Sequence, residues 1–236
     1  MKYLGSLLLI AVATSNVCRA QDFPDEPQDF SIYENEVPTG PKEIVKGWLP
    51  EYSQHIENKI QQYYGDLLTL PAGRVTRLCP KWANLETTQR IHFWSAMIAA
   101  LAFEESGFDR TQIYRETTLR RDATTGYQTH SEGLLQISYH DVVNYSYAGG
   151  DVSWPKDRQM AIVDYQNGRK SGNPRRTILS AYPNLNLSLK MMHTLVMRRH
   201  SNLRIEQSMG QYWSPMRNKL GRIQRSLSKS MPACTR

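Results

Sequence analysis

The chain has 236 residues, 40% of them apolar, and carries a formal net charge of +7. With no internal repeat and no low-complexity tract, this describes one globular domain with a sizeable core and excludes a repeat array. The basic balance, in a chain that also reads as exported, favours a polyanionic partner such as bacterial cell wall, lipopolysaccharide or another anionic glycan over nucleic acid.

Taken in chain order, residues 1–20 read as a signal peptide. Met1-Lys2-Tyr3 gives a positive start, Leu4 to Ala13 an apolar run, and Cys18-Arg19-Ala20 a small-x-small cleavage site. The run is too short for a stable membrane span, and Ser15-Asn16-Val17 lacks the leucine and small residue of a lipobox, so cleavage after Ala20 is expected and not lipidation at Cys18. The mature protein is therefore expected to be secreted or periplasmic. Losing Lys2 and Arg19 takes the charge from +7 to +5. Residues 21–42 are expected to form an acidic, disordered leader, since Asp22, Asp25, Glu26, Asp29, Glu34 and Glu36 face no Lys or Arg as far as Gly40. Discounting those six acids leaves +11 on the remainder.

Residues 43–77 predict an N-terminal helical extension. Ile44, Val45, Trp48 and Leu49, then Ile56, Ile60, Tyr63, Tyr64, Leu67 and Leu68, suggest two helices broken near Pro50 and ended by Pro71-Ala72-Gly73. The extension is either an accessory layer on the main domain or a wall-binding module of its own. The main domain is placed at 78–236. Once Cys18 has departed, Cys79 and Cys234 remain, and two cysteines in an exported chain predict one disulfide.

Asn84 or Thr87 offers an N-cap for the most helix-prone stretch of the mature chain, which Gly107 should stop. Trp94, Ile98, Leu101, Glu105 and Phe108 fall on one helical face, which directs the Glu105 carboxyl toward the core. Glu104 lies one step round, nearer Phe93, Met97 and Ala100. A carboxyl group that loses hydration at a helix C-terminus is biased to its protonated form, as a general acid requires.

Residues 109–130 read as a loop or short hairpin in which Arg110, Arg115, Arg120 and Arg121 are set against Asp109, Glu116 and Asp122. A turn at Ser131-Glu132-Gly133 then enters the apolar Leu134-Leu135-Gln136-Ile137. Loops are expected at 149–151 and 167–174, and a long helix after Pro183 carrying Leu185, Leu189, Met192, Leu195, Val196 and Arg199. The end from Tyr212 is basic and in part helical. Few segments alternate as strands do, so the class is mainly α.

At Glu105-Ser106-Gly107-Phe108, followed by Ser131-Glu132-Gly133-Leu134-Leu135-Gln136-Ile137, the chain resembles the lytic transglycosylases and the wider goose-type-lysozyme-like group. Pro183-Asn184-Leu185-Asn186-Leu187 looks like the Asn-containing helix start of that family, and Tyr212-Trp213 lies where it commonly has Tyr-Asn. The resemblance covers roughly residues 79 to 215. It implies a lysozyme-like domain with a substrate cleft, acting on peptidoglycan glycan strands at the β-1,4 bond between N-acetylmuramic acid and N-acetylglucosamine. Glu105 would protonate the glycosidic oxygen and then act as base. The substrate's acetamido group would assist, giving a 1,6-anhydro end or, with water, hydrolysis. Ser106, Gly133, Leu134, Gln136, Tyr139 and Tyr212 would bind or position the sugar. In a hydrolase Asp122, Glu132 or Asp141 would hold a water. Trp213 departs from the family pattern and suits either a sugar-stacking or a core role.

A monomer needing no cofactor is expected. His55, His92, His130, His140, His193 and His200 show no metal-ligand spacing, so no metal site is expected. Neither a Gly-x-Ser-x-Gly elbow nor a phosphate loop occurs. The competing reading is a catalytically silent wall-binding protein that keeps the fold, for which the basic tail Arg217, Lys219, Arg222, Arg225 and Lys229 would suffice.

Overall fold

Among the residues that the computed structural model describes, 46–147 and 151–235, helices dominate and the sheet is a two-stranded hairpin. The signal segment and the acidic leader lie outside the described residues. The mainly α class follows from one long central helix, α3 (Thr87–Ser106), which is buried along most of its circumference. Ile91, Phe93, Trp94, Met97, Ile98, Ala100, Leu101 and Ala102 all lie inside, so no single apolar stripe marks its inner face. Neither Asn84 nor Thr87 caps it. Glu86 takes the N-cap position, and its backbone N–H donates to Gln89 Oε1 at 2.9 Å.

Pro50 starts a helix and does not break one. It opens α1 (Pro50–Tyr63) from the first position, where its missing N–H costs nothing and its fixed φ fits. Residues 46–49 before it are non-helical. Pro71 follows the end of a 3-10 helix at Gly65–Thr69, as expected, and also precedes a short helix, α2 (Ala72–Val75). α1 packs Tyr52, Ile56 and Ile60 onto α3, and Leu67, Leu70 and Val75 join the same continuous core. Trp82 Nε1 ties that segment down by donating to Leu70 O at 2.8 Å.

After α3 comes an antiparallel hairpin of β1 (Ile113–Arg115) and β2 (His130–Glu132), with Tyr114 opposite Ser131. α4 (Tyr139–Asn144) and α5 (Trp154–Gln166) follow. α6 (Ala181–His193) begins two residues before Pro183 and runs on as a π-helical turn to Arg199. Three helices close the chain: α7 (Ile205–Met209), α8 (Pro215–Asn218) and α9 (Leu220–Ser230). α9 lays Leu220, Ile223 and Leu227 on the core, against α3, and keeps its basic side chains outside. The expected disulfide joins Cys79 to Cys234 with the Cα atoms 4.5 Å apart. The disulfide fits an exported protein; among the described residues no helix is long and apolar enough to cross a membrane.

Candidate active site

Gly107 stops α3 in the left-handed region at φ +60°, its N–H donating to Phe103 O at 2.9 Å. The last turn of the helix thereby emerges from the core with Glu105 half-buried at the wall of a cleft of about 990 Å³. Burial pushes the Glu105 carboxyl up to about 7; Lys219 pulls it down, and the charges of Glu116 and Glu104 add to the rise. Lys219 is engaged elsewhere. Its Nζ lies 3.3 Å from the Glu104 carboxylate, with Arg222 Nη1 3.6 Å from the same oxygen. Glu104 therefore anchors α9 to α3 through its ion pairs, and both glutamates border the cleft.

Beneath Glu105 the segment Gly133-Leu134-Leu135-Gln136 makes a tight loop whose carbonyls are taken up from several directions. Ser106 Oγ donates to Leu134 O at 2.9 Å, Trp213 Nε1 to Leu135 O at 2.9 Å, and Gln136 Nε2 to Gly133 O at 2.8 Å. Asn184, fully buried, accepts from Leu135 N–H at 3.1 Å and donates to Glu132 O at 3.1 Å and Ile178 O at 2.9 Å. Gly133 holds φ +77°, and a Cβ there would sit 2.3 Å from Asn184 Nδ2 and 2.9 Å from Ile178 O. Gly133→Ala should accordingly lower the unfolding free energy by about 2–4 kcal/mol in urea titrations; a loss under about 0.5 kcal/mol would mean that the loop gives way freely. Gln136 also adopts a positive φ, +49°, the kind of backbone strain that persists where surrounding contacts impose it.

Of the six residues expected to contact sugar, Gln136 and Tyr212 line the cleft. Ser106, Gly133 and Leu134 stand behind it: all three are buried, Ser106 Oγ is spent on Leu134 O, and Gly133 O accepts from Gln136 Nε2. Tyr139 is a correction. It is 1% exposed and its hydroxyl donates to Asp157 Oδ2 at 2.9 Å while accepting from Arg176 Nη2 at 3.1 Å, so it belongs to a buried polar cluster and not to the cleft. Trp213, also 1% exposed, fills the core.

The three carboxylates considered as water holders are all occupied. Glu132 is completely buried and paired with Arg176, which also meets Asp164 Oδ2 at 3.0 Å. Asp141 Oδ2 accepts from Ser138 N–H at 2.8 Å and from Tyr212 Oη at 2.6 Å, capping α4. Asp122 lines the cleft, but its oxygens receive the Thr124 N–H at 2.7 Å and the His140 N–H at 3.1 Å. Besides Glu104, Asp122 and Asp141, a further carboxylate that shares the cleft with Glu105 is Glu116, just past β1. Its N–H donates to Thr129 O at 2.9 Å, and Ser131 Oγ on β2 donates to its carboxylate. One sequence signal points to it: the 109–130 segment is bracketed by the two motifs that define the site, so a hairpin there must fold back beside Glu105.

Arg120, Arg121, Arg217 and Lys219 add positive charge to the cleft wall, and the exposed Tyr114 and Leu119 add apolar surface. Among the described residues no group of three or more His, Cys, Asp or Glu is arranged to hold a metal ion. The site is thus a groove lined by Glu104, Glu105, Glu116, Asp122 and Asp141, in which burial biases Glu105 and Asp141 toward keeping a proton.

No family model and no curated protein matches the chain. Solved structures of one protein do: Bd0314 DslA of Bdellovibrio, in its wild-type form 2, is similar with a TM-score of 0.56 and 20% identity over 78% of this chain and 91% of that one. Two glutamate-to-glutamine variants of Bd0314 DslA are similar over the same shares, each with a TM-score of 0.55 and 20% identity. At that identity the likeness establishes a common fold.

Proposed function

We propose that the protein is an exported glycosidase with a lysozyme-like cleft that cuts the β-1,4 bond between N-acetylmuramic acid and N-acetylglucosamine in peptidoglycan. The observation that carries this reading is the half-buried Glu105, its carboxyl raised to about 7, sharing a groove with Glu116. Paired carboxyl groups in unlike surroundings are how glycosidases divide acid from base work. Further support comes from the fold neighbours: the two glutamates exchanged in the Bd0314 DslA variants are 11 residues apart, as are Glu105 and Glu116.

Glu105 gives its proton to the glycosidic oxygen as the C1–O bond breaks. Glu116 takes a proton from the water whose oxygen forms the new bond to C1, and both groups return to their starting states by exchange with solvent. The acetamido-assisted route, for which Glu105 alone serves, is distinguished by its products. Digestion of purified sacculi followed by mass spectrometry should show reducing ends, and Glu116→Gln should reduce their release by about 10²-fold or more. Anhydro ends with full activity in Glu116→Gln would remove Glu116 from the chemistry. Sacculus binding with no bond cleaved by the wild-type protein would favour the silent binder.

A further inference from the structure

A second, shallower depression of about 360 Å³ lies against α1 and is lined by Glu51, Gln54, His55 and Asn58 with Tyr182 from the first turn of α6. The four α1 residues are spaced i, i+3, i+4 and i+7 and form one helical stripe; the buried Tyr52, Ile56 and Ile60 form another. Tyr182 is 44% exposed yet held in place. Its ring meets Tyr52 edge-on at 5.8 Å and tilts against His55 at 4.9 Å, and His55 Nε2 is in turn 2.7 Å from Asn186 Oδ1. Beside it Gln54 Nε2 donates to Asn58 Oδ1 at 3.0 Å, which orients two amides and leaves the other half of each without a partner among the described residues.

From Tyr182 a series of ring contacts crosses to the catalytic helix. Tyr52 meets Trp48 at 5.6 Å, Trp48 meets Phe108 at 5.5 Å, and Phe108 meets Phe103 at 5.3 Å. Phe103 is 52% exposed and stands two residues before Glu105. Burial does not explain why the two ends of this series, Tyr182 and Phe103, are left open to solvent.

We propose that the depression at Tyr182 binds a pyranose glycan strand outside the cleft. The proposal rests on the glycan reading above for its polymer. A fixed aromatic face flanked by amides and a carboxylate suits a sugar ring, whose C–H face stacks while its hydroxyls bond at the rim. Charge argues the same way. In a strongly basic chain the depression is lined by no Lys or Arg, and Glu51 would repel phosphate, so a polyphosphate or nucleic acid is the wrong ligand.

The test uses the mature chain carrying Glu105→Gln, cosedimented with purified sacculi. Adding Tyr182→Ala, or the surface pair Gln54→Ala and Asn58→Ala, should weaken binding at least fivefold. In the otherwise wild-type chain the same changes should slow digestion of insoluble sacculi by a like factor and leave turnover of a short soluble muropeptide glycan within twofold. Unchanged sacculus binding in both variants would overturn the proposal, as would equal losses on sacculi and on the short glycan. Self-association abolished by Tyr182→Ala in sedimentation velocity would overturn it in favour of a second copy of the chain. If the wild-type protein cleaves nothing while binding still depends on Tyr182, the cleft reading fails and the second site stands.

Discussion

Glu105→Gln should reduce release of fragments from sacculi by about 10³-fold while leaving the circular dichroism spectrum unchanged. The same substitution should also stabilise the protein, and the gain should depend on pH. In the folded state burial raises the carboxyl from 4.5 to about 7. Below pH 4.5 the group is protonated whether the chain is folded or not, and it has no effect on stability. Between there and about 7 the unfolded chain holds fewer protons, so stability falls as pH rises, and the loss is complete above 7. A shift of that size corresponds to about 3 kcal/mol. Glutamine, which never ionises, escapes the loss. Thermal melts of the two proteins should therefore agree near pH 4 and diverge by several degrees at pH 8, with the variant higher. Activity of the wild type should fall as pH rises through about 7, where the acid loses its proton. Melts that stay parallel across that range, or a variant that still cleaves, would sink the assignment.

The second large effect concerns the disulfide. Cys79 and Cys234 are separated by 155 positions, and in the chain-entropy model a cross-link closing so long a loop stabilises by up to about 5 kcal/mol. Reduction, or Cys79→Ser with Cys234→Ser, should move the urea midpoint down correspondingly, and coincident midpoints with and without reductant would show that the bridge is dispensable. The consequence extends to the chemistry. The bridge pins the chain end that follows α9, and the start of α9 brings Lys219 and Arg222 to Glu104. Loosening that end removes the nearest positive charge that holds the Glu105 carboxyl down. The cross-linked form should thus show a lower alkaline limit of activity than the reduced form.

How much was legible beforehand depends on what kind of force holds each part. The central helix, its stop at Gly107 and the Gly133-Leu134-Leu135-Gln136 loop were plain, because apolar residues, a left-handed cap and an unusual tetrapeptide are local signals. α5 was not. Its buried residues include Asp157 and Asp164, which serve Thr177 and Arg176, so no apolar stripe announces it. Tyr139 is expected among the sugar contacts, but it is buried and its hydroxyl is spent on Asp157 and Arg176. Glu116 was seen only as one acid among the charges of a loop. Pairing of Tyr114 with Ser131 is what brings it back beside Ser131 Oγ, and such long-range pairing leaves no trace in periodicity.

The loop under Glu105 also has an entropic side. Its supports arrive from positions 106, 184 and 213, so the bonds at Leu134 and Leu135 span 28, 49 and 78 residues. Closing such long loops costs more chain entropy than making local contacts. A chain cut short before Tyr212 would therefore lose the bonds from Tyr212 to Asp141 and from Trp213 to Leu135 that finish the groove.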